Sequence, residues 1–210
     1  MRFFKRKIAI VIFLLVLITL VGYFFLRSQG KCKSGDCENG IGIYETGDGG
    51  FYKGQFLDGV FSGYGYFWHK SGHSYKGLWR KGKKYGYGLY KYPDGTVYKG
   101  TFLDNKRQGK GLFTWPNGSK LAVRWLNEIP NGQGEFTDEI GTKYKGIYRN
   151  GKIYEGEGVF NYEDGSRYTG EWKNGKRNGV GTLTTAHREK VIHGVWKEDK
   201  LIKTHQNRVK

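Results

Sequence analysis

Two cysteines, Cys32 and Cys37, enclose a glycine in the run CKSGDC. That spacing lets a tight turn bring the two Cα atoms within bridging distance, and a disulfide persists wherever the segment faces an oxidising space. With no other cysteine in the chain and no histidine nearby, the pair makes a poor metal site. The histidines are scattered at His69, His73, His187, His193 and His205. His69 and His73 flank Ser71 and stand next to Ser74, which invites a nucleophile-and-base reading. The same residues read more simply as a surface turn, and that reading is preferred. Asp94, Glu163 and Asp164 fall in turn-like runs, and no carboxylate pair stands out for acid–base work. The chain is therefore expected to be no enzyme and to hold no cofactor or metal.

Basic residues show more order. Lys53, Lys76, Lys99 and Lys145 each follow an aromatic residue in a recurring context. A second set, Lys83, Lys84, Lys106, Arg107, Lys176 and Arg177, lies in the connections between. Net charge is +17, and six of the basic groups lie within the first 31 residues, so the remainder is basic in its own right. Such a chain is drawn to anionic surfaces. The four aligned lysines would form a ladder for lipid headgroups or an anionic envelope polymer. Equally, lysine at a solvent-facing strand position discourages edge pairing and needs no ligand. Nucleic acid is disfavoured, because the aromatics that would stack on bases are needed inside.

What must position these groups is a repeat. Aromatic-x-Gly-x-aromatic begins at Tyr52, Tyr75, Tyr98, Tyr144 and Tyr168, with degenerate copies at Leu121 and Ile192. Successive starts lie 23 or 24 residues apart. A Gly-x-Gly marker keeps step at Gly63/Gly65, Gly86/Gly88, Gly109/Gly111, Gly132/Gly134, Gly156/Gly158 and Gly179/Gly181. The 35 glycines are thus positional, locked in phase with an aromatic fraction of 17%, which is not the composition of a disordered chain.

Residues 75–97 show one unit: YKGLWRKGKKYGYGLYKYPDGTV. YKGLW alternates, placing Tyr75, Gly77 and Trp79 on one face of a strand. RKGKKY is a polar connection. GYGLYKY alternates again, and PDG signals a tight hairpin turn. Bare glycines let flanking rings lean over the backbone, which offsets the weakness glycine brings to a strand. One hairpin is marginal, so the units must stack. The expectation is an all-β, elongated, twisted antiparallel sheet of about fourteen strands. A closed barrel is the competing architecture. Gly-x-Gly here alternates along strands and opens no helix, so a phosphate loop is disfavoured.

The unit Y-x-G-x-W-x-x-G-K-x-x-G-x-G-x-L-x-Y-x-D-G resembles the MORN repeat. The copies YKGLWRKGKKYGYGLYKYPDG and YTGEWKNGKRNGVGTL carry the likeness, which extends over about residues 40–200. NGIGIYETGDG at 39–49 resembles the second half of a unit. The resemblance implies an interaction module without catalytic machinery, associated with membranes, scaffolding and self-association. Three copies depart from the pattern. The fourth replaces Tyr and Gly by Leu121 and Val123 and carries Pro130, the fifth has one extra residue in GKIYEGEG, and the sixth has Ala186, His187 and Arg188 in place of the Asp-Gly turn.

Residues 8–26, IAIVIFLLVLITLVGYFFL, carry no charge and match the ~30 Å hydrocarbon core as a helix. Arg2, Lys5, Arg6 and Lys7 precede them, which places the N-terminus in the cytoplasm and the repeats outside. A cleaved signal sequence, giving a secreted product, is the alternative. The expected organisation is a basic tail (1–7), a transmembrane helix (8–26), a linker (27–38), the repeats (39–200) and a polar tail (201–210). The expected function is a membrane-tethered scaffold for a protein partner or for self-association. Direct binding of anionic lipid or envelope polymer is the alternative, and an envelope-acting enzyme a more remote one.

Overall fold

Alternation along the chain builds strands, and paired left-handed residues end them. The computed structural model describes residues 30–186 and 190–204. The expected basic tail and transmembrane helix lie outside the described residues, and among these no helix is long and apolar enough to cross a membrane. The chain divides at Gly82 into two compact units. The first holds β1 (Lys31–Gly35), β2 (Ile41–Glu45), β3 (Gly50–Leu57), β4 (Val60–His69) and β5 (Ser74–Arg80). The second holds β6 (Lys83–Lys91), β7 (Val97–Leu103), β8 (Lys106–Thr114), β9 (Lys120–Leu126), β10 (Ile129–Thr137), β11 (Lys143–Arg149), β12 (Lys152–Asn161), β13 (Arg167–Lys173), β14 (Lys176–Thr184), β15 (Val191–Lys197) and β16 (Lys200–Thr204). Among the described residues the architecture is all-β: each unit is an antiparallel sheet whose strands are ordered as in the chain, five in the first unit and eleven in the second.

Strands β3 to β16 are the fourteen of the repeats, and β1 and β2 add a hairpin before them. Residues 31–35, within the span read from sequence as a linker, form β1 and pair with β2. The half-unit at 39–49 thereby gains the strand it lacks. Leu201–Thr204, in the polar tail, continue β16 beside β15.

Turn chemistry differs from the sequence reading. The tight two-residue turns lie in the connections read as loops: Asp58-Gly59, Lys81-Gly82, Asp104-Asn105, Asn127-Glu128, Asn150-Gly151, Asn174-Gly175 and Glu198-Asp199, with both residues at positive φ in each. This is the signature of a type I′ turn, whose twist matches that of paired strands. The Asp-Gly pairs at 48–49, 94–95 and 164–165 lie in wider turns instead. Between β6 and β7, Gly95 alone is left-handed, at φ 87°. Its N–H donates to the carbonyl of Tyr92 (3.0 Å), while Tyr92 donates to that of Thr96 (2.8 Å). The Asp94 carboxylate accepts the Thr96 N–H at 2.9 Å. Each tight turn is also tied to the hairpin before it: the N–H of Asn105 meets the Lys84 carbonyl, and those of Glu128 and Asp199 meet the carbonyls of Arg107 and Arg177.

The aromatic face packs by one rule. Among the described residues, Tyr52, Tyr75, Tyr98 and Tyr168 are the largest fully buried side chains. Tyr52, Tyr98 and Tyr168 each lie over the glycine two residues on, and each of the four tyrosines sends its hydroxyl to the carbonyl three residues on, as Tyr75 does to Leu78 at 3.0 Å and Tyr98 to Thr101 at 3.2 Å. A ring four residues on meets it edge-to-face, Tyr98 with Phe102 at 5.2 Å and Tyr168 with Trp172 at 5.2 Å. The next repeat supplies a second edge, Trp125 to Tyr98 at 5.5 Å and Trp196 to Tyr168 at 5.5 Å. These geometries suit the ring quadrupoles.

The two glycines of Gly-x-Gly have different tasks. The second faces a glycine across the strand pair, Gly54 with Gly65 and Gly100 with Gly111. The first sits in a β-bulge beside that pairing and is left-handed, Gly63 at φ 57° and Gly109 at φ 76°. In the fourth copy, Val123 and Leu121 are buried where the others hold glycine and a ring. The valine occupies the space that the missing tyrosine leaves. In the fifth copy the extra residue moves the bulge: Gly146 pairs with Gly156, and Ile153 and Tyr148 are buried. Tyr144 turns its hydroxyl to the Asp138 carboxylate at 3.2 Å.

Candidate functional site

Because one face of the sheet is sealed by rings, the residues between them face solvent on the other. In the first unit the cross-strand row runs Ile43, Lys53, Tyr66, Lys76. In the second it runs Leu89, Lys99, Leu112, Ala122, Glu135, Lys145. The four lysines thus hold equivalent open-face positions, with apolar or acidic residues between them. Lys145 stands 4.0 Å and Lys143 2.9 Å from the Glu135 carboxylate. The hydrogen bond from Lys143 and the nearby positive charges hold that carboxylate below its usual range.

The basic residues of the connections sit elsewhere. Arg107 pairs with Glu128 at 2.7 Å and lies 4.2 Å from the Trp125 ring centroid, its side chain 17% exposed. Arg177 repeats the arrangement with Asp199 at 3.2 Å and Trp196 at 4.5 Å. Lys84 rests 4.5 Å above the Tyr90 ring, and burial lowers its pKa. These three cover the rim of the aromatic core. Lys83 reaches Asp104 at 3.9 Å and Lys176 reaches Glu198 at 3.7 Å. Lys106 is exposed in β8.

Two basic residues that the sequence reading passed over belong to the same open face. Lys110 lies between the glycines of its Gly-x-Gly, and Arg124 lies opposite it. With Lys99, Tyr87, Leu112 and Ala122 they line a groove of about 730 Å³ that has no acidic residue in its wall. A neighbouring groove of about 520 Å³ carries Glu135, Lys145, Ile147 and Glu155. The signal was available: in a period-2 strand, the residue between two core-facing positions must face outward.

Cys32 and Cys37 are bonded, with a Cα separation of 6.0 Å, and tie β1 to the turn that leads to β2. His69 Nδ1 lies 2.6 Å from the Ser71 hydroxyl and takes the Ser71 N–H at 3.1 Å, while Nε2 meets the Asp48 carbonyl at 3.0 Å. The imidazole thereby ties one turn to another, and its third partner is a carbonyl rather than a carboxylate. Among the described residues no cluster of metal ligands is assembled.

The 23-residue period finds a direct counterpart. The MORN repeat pattern matches residues 52–74, 75–97, 98–120, 144–167 and 168–186, together more than half of the chain. The chain belongs to the MORN repeat family. The matched MORN copies omit residues 121–143, the stretch where Leu121 and Val123 replace tyrosine and glycine. No curated protein matches the chain by sequence. Among solved structures, the MORN array is similar to the TCP domain of Drosophila melanogaster SAS-4 in complex with a proline-rich motif of Ana2. That match has 15% identity over 80% of this chain and 90% of that one, with a TM-score of 0.43. The TCP10c domain of Drosophila melanogaster Sas-4 matches at 16% identity over 80% and 99%, with a TM-score of 0.41.

Proposed function

We propose that this MORN protein is a non-catalytic scaffold, held at a membrane by residues 8–26 with its repeats on the extracytoplasmic side, and that its open sheet face engages a protein partner or a second copy. One observation carries the reading. The aromatic face is sealed by the chain's own rings, while the other face leaves Tyr64, Tyr66 and Leu78 in the first unit, and Tyr87, Ile147 and Val180 in the second, between 39% and 58% exposed. Aromatic and aliphatic groups interleaved with lysine are the composition of a binding surface. The test is crosslinking in intact membranes followed by capture of the full-length chain. A discrete partner, lost from a Tyr64→Ser/Tyr66→Ser or Tyr87→Ser/Ile147→Ser variant, supports the reading; identical capture by all variants removes it. A compartment-sensitive reporter at the C-terminus that is active only in the cytoplasm would overturn the orientation.

The acid-free groove around Lys99, Lys110 and Arg124 favours a second reading, direct contact with anionic headgroups or envelope polymer, joined by Lys53, Lys76 and Lys145. Flotation of residues 32–210 with anionic but not neutral vesicles would support it, provided that Lys53/Lys76/Lys99/Lys145→Glu abolishes it. Equal flotation with both vesicle types would exclude it.

A further inference from the structure

Strand β4 carries Tyr64, Tyr66 and Trp68 two residues apart on the open face of the first unit, a line of about 14 Å. Trp68 stacks on Phe51, its cross-strand partner, at 5.4 Å and on Tyr66 at 5.1 Å. Tyr64 and Tyr66 are 53% and 40% exposed. The repeat does not require rings at these places. The same three positions hold Lys110, Leu112 and Thr114 in β8, and Val180, Thr182 and Thr184 in β14, and those strands pair equally well. A row of solvent-facing aromatics that folding does not need is a surface for a ligand.

Charge narrows the ligand. Lys53 and Lys76 lie directly opposite Tyr66 on the neighbouring strands, and among the described residues neither joins a salt bridge. They repel a cation that the rings would otherwise attract, and lysine is depleted from the core of a protein interface. A sugar chain bearing acid groups satisfies both features. The C–H groups on the face of a sugar ring are weakly positive and meet the negative face of an aromatic ring, while carboxylates or sulfates take the ammonium groups. Single-stranded nucleic acid also uses rings and cations together, but the bonded Cys32–Cys37 pair of the same unit fits an oxidising space, where acidic glycans are the polyanions at hand. We propose that the first unit binds an anionic polysaccharide along β4, its sugar rings against Tyr64, Tyr66 and Trp68 and its acid groups on Lys53 and Lys76. Because the rings of Phe51, Trp68 and Tyr66 already hold one another by stacking, little side-chain freedom is lost on binding. The proposal rests on the envelope-polymer reading, gives it a site on the first unit, and leaves a protein partner to the open face of the second.

The experiment titrates the detergent-solubilised full-length chain with alginate, hyaluronate and heparin, with dextran as a neutral glycan and oligo-dT as a polyanion whose bases stack. At least one of the anionic glycans should bind at least ~10-fold more tightly than dextran or oligo-dT. Tyr64→Ala and Tyr66→Ala should each weaken that binding at least ~10-fold, and Tyr66→Phe, which keeps the ring, should bind as wild type does. Lys53→Gln/Lys76→Gln should weaken it and flatten its dependence on salt. K99Q/K110Q/R124Q, in the groove of the second unit, should leave it unchanged. Failure to bind any of the anionic glycans, binding that survives loss of the Tyr64 and Tyr66 rings, or oligo-dT bound as tightly overturns the proposal. Tyr66 packs on Trp68, so the more exposed Tyr64→Ala decides the matter if Tyr66→Ala lowers the melting temperature. If an anionic glycan binds but is lost only from K99Q/K110Q/R124Q, the envelope-polymer reading stands and this inference falls.

Discussion

The hydroxyl oxygen of Tyr98 lies 2.5 Å from the point where a Cβ on Gly100 would stand, and it crowds the same point on Gly111 as well. Ring and glycine are one packing unit, so neither can be changed without the other. Gly111→Ala should lower stability by about 1–3 kcal/mol through overpacking. The fourth copy shows the compensated form, with Leu121 and Val123 buried. Gly100→Val should therefore be strongly destabilising alone and substantially rescued by Tyr98→Leu. Chemical denaturation of the four proteins in a double-mutant cycle measures the coupling, and additive effects would refute it.

Burial also fixes the protonation state of these rings. Tyr52, Tyr148 and Tyr168 are pushed up from an ordinary value of 10.0 to about 12 by desolvation, and Tyr75 and Tyr98 are pushed up further by the same cause. A raised folded pKa means that the neutral form is favoured by folding. The stability is fully present below pH 10 and is lost as pH climbs through 12. Absorbance at 295 nm should show the buried set ionising only well above pH 10, together with unfolding. A single transition near pH 10 would count against the packing.

Arg107 joins the Glu128 carboxylate to the face of Trp125, although it reads from sequence as one of a set of anion-binding groups. Arg107→Ala should cost about 1–2 kcal/mol, from a stacked cation and a charge-assisted hydrogen bond. Arg107→Lys should recover only part, since lysine lacks the planar fork. Melting temperatures of the three proteins decide this, and an unchanged value for Arg107→Ala would place the arginine outside the core.

Lys81 holds the first position of a tight turn at φ 50°, a conformation that costs most L-residues about 1–2 kcal/mol. Lys81→Asn, which creates the Asn-Gly pair favoured in type I′ turns, should raise stability by a few tenths to about 1 kcal/mol. Lys81→Val should lower it. The sign of the difference in urea midpoint is the test.

The sequence by itself determined the period, the alternation and the identity of the ring-and-glycine marker, because a repeat must present the same face every 23 or 24 residues to stack on its neighbour. It also determined that the lysines after the first aromatic face outward. Three matters were decided only by the tertiary structure. Strand pairing converted the expected loops into type I′ turns with bulges behind them, because the register has to bring glycine opposite glycine under a shared ring. Stacking of each turn on the hairpin before it recruited Arg107 and Arg177 to the core rim, a contact over 21 or 22 residues that no local pattern encodes. Cross-strand neighbours, which lie far apart along the chain, set Lys110 against Arg124 and Glu157 against Glu171, and so gave the open face its opposed patches of charge.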